Sequence, residues 1–254
     1  MIGPEFMAGF ELALWLVPAF FAGALLYATV GHGGASAYLA IMALAGMAPA
    51  EMKPIALMLN VVVAGIGTYK YARAGCFDAR LLAWFAVFSL PLAYWGGSLS
   101  LPDAWFKPVV GVVLLFAAWR MLSPSMAVHD SQVKRAPLAG IALSGGAMGF
   151  LSGLTGVGGG IFLSPLVLLL GWASTRVTSG VAAAFILLNS LAGLAGFLSR
   201  AELPQTEALP LWALAVAAGG WLGAEIGSRR IAPVWIRKLL ALVLAIAGTK
   251  LAFI

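Results

Sequence analysis

Two glycine runs carry the residues whose types and spacing suggest chemistry. The first is Gly31-His32-Gly33-Gly34, followed by Ala35 and Ser36; the second is Thr155-Gly156-Val157-Gly158-Gly159-Gly160. Each stands between apolar segments. Glycine inside a helix costs conformational entropy and exposes backbone. At membrane depth a broken helix leaves N–H and C=O groups that only protein or a polar cavity can satisfy. A helix restarting at Ser36 or at Ile161 presents unpaired N–H groups and the positive end of its dipole toward the glycines. Glycine then lets an anion approach that backbone closely. The chemistry predicted is therefore binding of a small anion, with no bond made or broken.

Side chains around the two runs extend the candidate site. His32 is the only histidine inside an apolar segment. It either donates to an oxyanion or exchanges a proton, or it is a neutral imidazole bonded to a backbone carbonyl at the helix break. Asn60 and Asn189 fall mid-segment, suited to anion contact and equally to interhelical bonding. Ser36, Thr155, Ser164, Thr178 and Ser179 offer hydroxyls, each of which is also a common back-bonding helix residue. Lys53 and Arg176 open corresponding segments and read first as solvated flanks that snorkel to the interface. Glu225 is read as pairing with Arg229 one turn on.

These residues must be positioned by membrane helices. The 254-residue chain is 62% hydrophobic and 9% charged, with a mean hydropathy of +1.01; a soluble domain carries about 25% charge. Ten apolar segments are predicted, near 11–30, 35–46, 54–70, 80–100, 106–122, 137–155, 159–171, 177–199, 208–228 and 234–253. The second and seventh, each opening on a glycine run, reach only about 20 Å against the roughly 30 Å of hydrocarbon. They are expected to be half-helices or arms of re-entrant hairpins.

The fold class expected is an all-α polytopic membrane protein of two inverted repeats, each of about five segments. Residues 1–6 read as an expression scar ahead of Met7. Residues 7–122 form one repeat and 137–254 the other, joined by a cytoplasmic linker at 123–136 that contains His129. Gly31 aligns with Gly156, and Gly46 then falls opposite Gly171 without a gap. Asn60 answers Asn189 if one helical turn is inserted. Lys and Arg concentrate in loops near residues 75, 130 and 233. With those loops cytoplasmic, both termini lie outside and each half crosses an odd number of times, which inverts it relative to the other. Discontinuous helices at matching places in inverted halves are the arrangement of a transport site near the midplane.

Glycines at 145, 149 and 153, and again at 219, 223 and 227, recur every fourth residue and predict close helix approach. Trp105, Trp172, Trp212 and Trp235 lie near segment ends and are expected to anchor at the interface. One cysteine and two histidines leave no disulfide, no cysteine cluster and no multi-histidine metal site. No cofactor is called for. The net charge of +6 is accounted for by the loops, so no nucleic-acid partner is expected. No GxxxxGK[ST] run is present, and Ser36 with His32 lacks the Gly-x-Ser-x-Gly setting of a hydrolase.

The run Gly158-Gly159-Gly160-Ile161-Phe162-Leu163-Ser164-Pro165 resembles the TauE/SafE family. So do Thr178-Ser179, Asn189-Ser190 with Gly193, and Gly219-Gly220-Trp221-Leu222-Gly223 through Gly227-Ser228. The likeness extends from about residue 10 to the end; the first half departs from it at His32 and Ala35. The resemblance implies a bacterial inner-membrane permease for sulfite or an organosulfonate, working as an exporter and not as an enzyme. A passive anion channel on the same fold is the alternative. The partners implied are a small anionic substrate and the lipid bilayer.

Overall fold

The structure is a computed structural model describing residues 4–122, 133–204, 206–229 and 234–253. His129 and most of the linker lie outside the described residues. Ten helices follow in order among those described: α1 Pro4–Ala28, α2 Ala35–Leu44, α3 Pro49–Arg73, α4 Ala79–Ser98, α5 Asp103–Leu122, α6 Leu138–Thr155, α7 Gly160–Leu169, α8 Thr175–Leu198, α9 Leu209–Arg229 and α10 Val234–Phe253. No strand occurs among the described residues. By length and composition α3, α4, α6, α8 and α9 can each cross a membrane.

Local chemistry sets the ends. Pro49 opens α3, where its missing N–H costs nothing. Asp78 Oδ1 accepts from Arg80 N and Leu81 N at 2.9 Å and caps α4. The short helices begin differently: their N-cap residues, Gly34 with φ 101° and Gly159 with φ 78°, are left-handed, a conformation costly for any residue with a Cβ.

Both short helices fold back on the helix before them. Phe20 packs tilted against Tyr38 with centroids 5.6 Å apart, and Gly23 faces Ala37 and Ile41; α2 thus runs down α1. Lys134 N donates to Gly171 O at 2.7 Å, and Gly140 meets the Trp172 ring, so α7 returns to the start of α6. Each ten-residue helix spans about 15 Å, and each forms a hairpin with the helix before it.

The long helices pack through their small residues. A Cβ at Gly219, Gly223 or Gly227 would collide with the carbonyls of Phe21, Leu25 and Thr29; α9 therefore lies parallel to α1 at backbone contact. Gly149 and Gly153 meet the carbonyls of Ser89 and Ala93 in the same way, and α6 runs parallel to α4. In contrast α3 runs antiparallel to α8, with Gly67 against Ala183, Asn60 against Ser190 and Leu57 against Gly193. Likewise α5 opposes α10 through Gly111 and Gly248.

Three expectations change here. Trp172 and Trp212 are buried, at 8% and 3% exposure, packing on Phe85 and Phe20 because a neighbouring helix covers each segment end. Trp105 is 66% exposed, and the side chain of Trp235 lies outside the described residues. Lys53 is no solvated flank: at 6% exposure it is enclosed by the end of α4. Glu225 does pair with Arg229 Nη2 at 2.6 Å, and also with Lys70 Nζ.

Candidate functional site

The two glycine runs meet. His32 lies 3.0 Å through Nε2 from the carbonyl oxygen of Gly160. A carbonyl only accepts, so Nε2 carries the proton. The imidazole also stands edge-on to Tyr27, centroids 6.2 Å apart. A backbone carbonyl thus holds His32, as the plainer of its two readings has it, but that carbonyl belongs to the other half of the chain.

Asn60 joins the runs a second time. Its Oδ1 accepts from Ala35 N at 3.0 Å, the first N–H of α2. Its Nδ2 donates to Val157 O at 3.3 Å, inside the second run, and to Ser190 Oγ at 3.4 Å. All three bonds agree with one orientation of the amide. Space is as tight as the bonding: a Cβ on Gly33 or on Gly158 would collide with the Asn60 amide, and on Gly160 with Ile186. The glycines at 33, 158 and 160 are required because Asn60 and Ile186 occupy the volume between them.

What this places together is the start of α2 and the start of α7. Phe162 N and Leu163 N both bond Gly159 O, at 3.1 and 3.2 Å, so Gly160 and Ile161 N–H precede the first intrahelical bond of α7. In α2 the first such bond is Tyr38 N to Gly34 O at 3.0 Å, and Asn60 already takes Ala35. Ser36 and Ala37 head that helix, both buried. The starts of α2 and α7 therefore lie side by side, linked through Asn60 and His32 and packed on Ile186, with Ser190 alongside. Two positive helix ends brought together favour a negatively charged solute with acceptor oxygens.

The other candidates lie at the two glycine breaks and along α6, α7 and α8. Gly31 is pressed on the backbone of Ser179, and Gly156 on the backbone of Lys53. Ser179 Oγ donates to Thr175 O at 3.2 Å, and Thr155 Oγ1 to Leu151 O at 2.6 Å, both back-bonded within their helices. Thr178 and Ser164 are buried with hydroxyls that find no partner. Asn189 does not mirror Asn60. Its Nδ2 bonds Phe185 O at 2.8 Å in its own helix, and its buried Oδ1 has no partner.

Sequence reasoning missed three residues here. Tyr38 Oη donates to Gly33 O at 2.8 Å and fixes the first break. Ser152, fully buried with an unpartnered hydroxyl, lies beside Gly159. Ile186 wedges between the runs. Ser190 stood beside Asn189 in the family-like stretch, but nothing in its spacing marked it over its neighbour.

A family model described as sulfite exporter TauE/SafE matches residues 15–251. The chain belongs to the TauE/SafE family. It is 41% identical over 243 residues to a probable membrane transporter protein, y4hK, of Sinorhizobium fredii, covering 94% of this chain and 98% of that one. It is also 29% identical over 109 residues to a probable membrane transporter protein, YunE, of Bacillus subtilis, covering 42% of this chain and 38% of that one. No solved structure matches it. The TauE/SafE assignment and these relatives make it a multi-pass membrane transport protein whose partners are a lipid bilayer and a small substrate.

Proposed function

We propose that this TauE/SafE protein is a secondary carrier exporting a small sulfur-containing oxyanion, sulfite or an organosulfonate, across the bacterial inner membrane. One observation carries the reading: Asn60 and the His32–Gly160 contact hold two helix N-termini side by side. Donors fixed in advance suit an oxyanion, and an inside-negative potential favours its exit by about 2.3 kcal/mol per charge per 100 mV.

Alternating access follows from two inverted repeats, residues 7–122 and 137–254, about a cytoplasmic linker at 123–136. The helix registers support the inversion. α3 and α8, and α5 and α10, hold matching places in the two halves and run antiparallel. Lys53 donates to carbonyls at the end of α4, and Arg176 Nη2 to Ser228 O near the end of α9; the matching cation of each half thus clasps the matching helix.

Purified protein in liposomes, with a potassium-diffusion potential imposed, should show saturable sulfite or sulfonate efflux. Flux no higher than in protein-free liposomes would refute the proposal. Flux that rises linearly with concentration would make it a channel.

A further inference from the structure

We propose that Ser89, Ser152 and Asn189 form a sodium site where α4, α6 and α8 meet, beside the two helix starts assigned above to the anion. Its link to the anion rests on the transport reading; the site itself does not. Each of the three residues is 0% exposed, and Ser89 Oγ, Ser152 Oγ and Asn189 Oδ1 find no hydrogen-bond partner. The Asn189 amide is oriented, because its Nδ2 donates to Phe185 O at 2.8 Å. Its Oδ1 is therefore an acceptor that no donor reaches. Helix hydroxyls elsewhere return to their own backbone: Ser144 to Gly140 O at 2.5 Å, Thr155 to Leu151 O at 2.6 Å and Ser179 to Thr175 O at 3.2 Å. Ser89 and Ser152 do not, which leaves their oxygen lone pairs for a ligand.

The helix registers put the three in one layer. On one side of it Phe85 meets Phe185 edge-on, ring centroids 6.0 Å apart, and packs on Gly145. On the other side the three helices close at backbone contact, with Gly97 on the Gly193 carbonyl, Gly153 on the Ala93 carbonyl and Gly193 on the Gly153 Cα. Between these contacts Ser89 stands one turn after Phe85 and one turn before Ala93. Asn189 stands one turn after Phe185 and one turn before Gly193. Gly149 lies against the Ser89 backbone, and Ser152 directly precedes Gly153. A Cβ on Gly159 would stand 3.4 Å from Ser152 Cβ and 2.9 Å from the Phe185 ring, so the N-cap of α7 borders the same layer.

Neutral oxygens enclosed in an apolar layer suit a small hard cation, since such ions take oxygen ligands. In carriers built on broken helices, C-terminal ends hold sodium where N-terminal ends hold anions. Ser152 lies in the last turn of α6, which ends at Thr155 with Gly156 as its cap, at the negative end of that helix dipole. Asn189 is followed by Ser190, whose Oγ accepts from Asn60 at 3.4 Å. The cation thus stands one residue from the network that links the starts of α2 and α7. At low dielectric its charge acts over that distance and strengthens anion binding there. A buried water would satisfy the same oxygens but would not respond to the salt present, and that difference is what the experiment reads.

The test is thermal shift and calorimetry on the solubilised full chain, titrated with sodium chloride against potassium chloride and choline chloride at matched ionic strength. Sodium should raise the melting temperature saturably, and the other two salts should not. The double variant Ser89→Ala with Ser152→Ala should lose that shift. In sodium-free buffer it should melt no earlier than wild type, because it removes only hydroxyls that have no partner. Methanesulfonate should bind wild type at least roughly fivefold more tightly in sodium than in choline, and the double variant equally in both. A wild type that responds alike to the three salts overturns the proposal and assigns the layer to a buried water. So does a sodium shift that survives in the double variant. A sodium shift lost in the double variant, without flux of any sulfur oxyanion in liposomes, would refute the transport reading and leave the sodium site standing.

Discussion

Asn60 commits both ends of its amide to backbone from two glycine breaks 122 residues apart in the chain, Ala35 and Val157. Removing it strands a buried donor and a buried acceptor, each at a cost of about 1–3 kcal/mol. Asn60→Leu should therefore lower the melting temperature clearly and abolish flux, which a thermal melt and a liposome assay on the same preparation would show. His32 needs only its Nε2 donor to hold Gly160. His32→Gln, which keeps a donor, should retain more flux than His32→Ala; equal flux in the two would remove the contact from the account. Both residues stood out in the sequence because a polar side chain in an apolar run is costly. Lys53 and Asn189 misled for a related reason. A lysine at a segment start looks like a snorkelling flank, and only the end of α4, more than forty residues away, encloses it. An asparagine mid-helix looks like a bridge, yet Asn189 bonds its own turn.

At the scale of elements, the parallel pairs α1 with α9 and α6 with α4 depend on glycine at backbone contact. Gly223→Val would drive a branched side chain into the Leu25 carbonyl. Overpacking of this kind costs typically 1–3 kcal/mol, so the variant should melt early or fail to accumulate. Gly65→Ala is the control: a Cβ there meets only Leu187 Cδ1, at 4.0 Å, and both melting and flux should stay unchanged. Ten apolar segments were legible in the sequence, most to within a few residues of the helices, because hydropathy, proline and glycine mark where a helix can begin and stop; α1 and α3 start earlier than expected, at Pro4 and Pro49. The four-residue glycine spacing announced close packing but not the partner. Partner choice depends on which surfaces fit across the chain, and periodicity within one segment carries none of that. Trp172 and Trp212 show the same limit, since their place at segment ends was legible and the helices covering them were not.

For the whole molecule, the proposed topology, argued from the basic loops, has the turn after α3 inside the cell and the loop after α8 outside. In a Cys76→Ser background, which removes the single buried thiol, Ala74→Cys and Glu202→Cys put one exposed cysteine in each loop. A membrane-impermeant maleimide applied to intact cells should label Glu202→Cys and spare Ala74→Cys; the reverse pattern would turn the proposed topology over. The most direct test of the central claim is an anomalous diffraction map at the selenium edge, from crystals of the chain soaked in selenite as a sulfite analogue. A single strong peak between the starts of α2 and α7, within hydrogen-bonding reach of the Ser36 and Ile161 N–H groups, is the predicted result. A map with selenium bound elsewhere, or with that centre empty at saturating selenite, would contradict it.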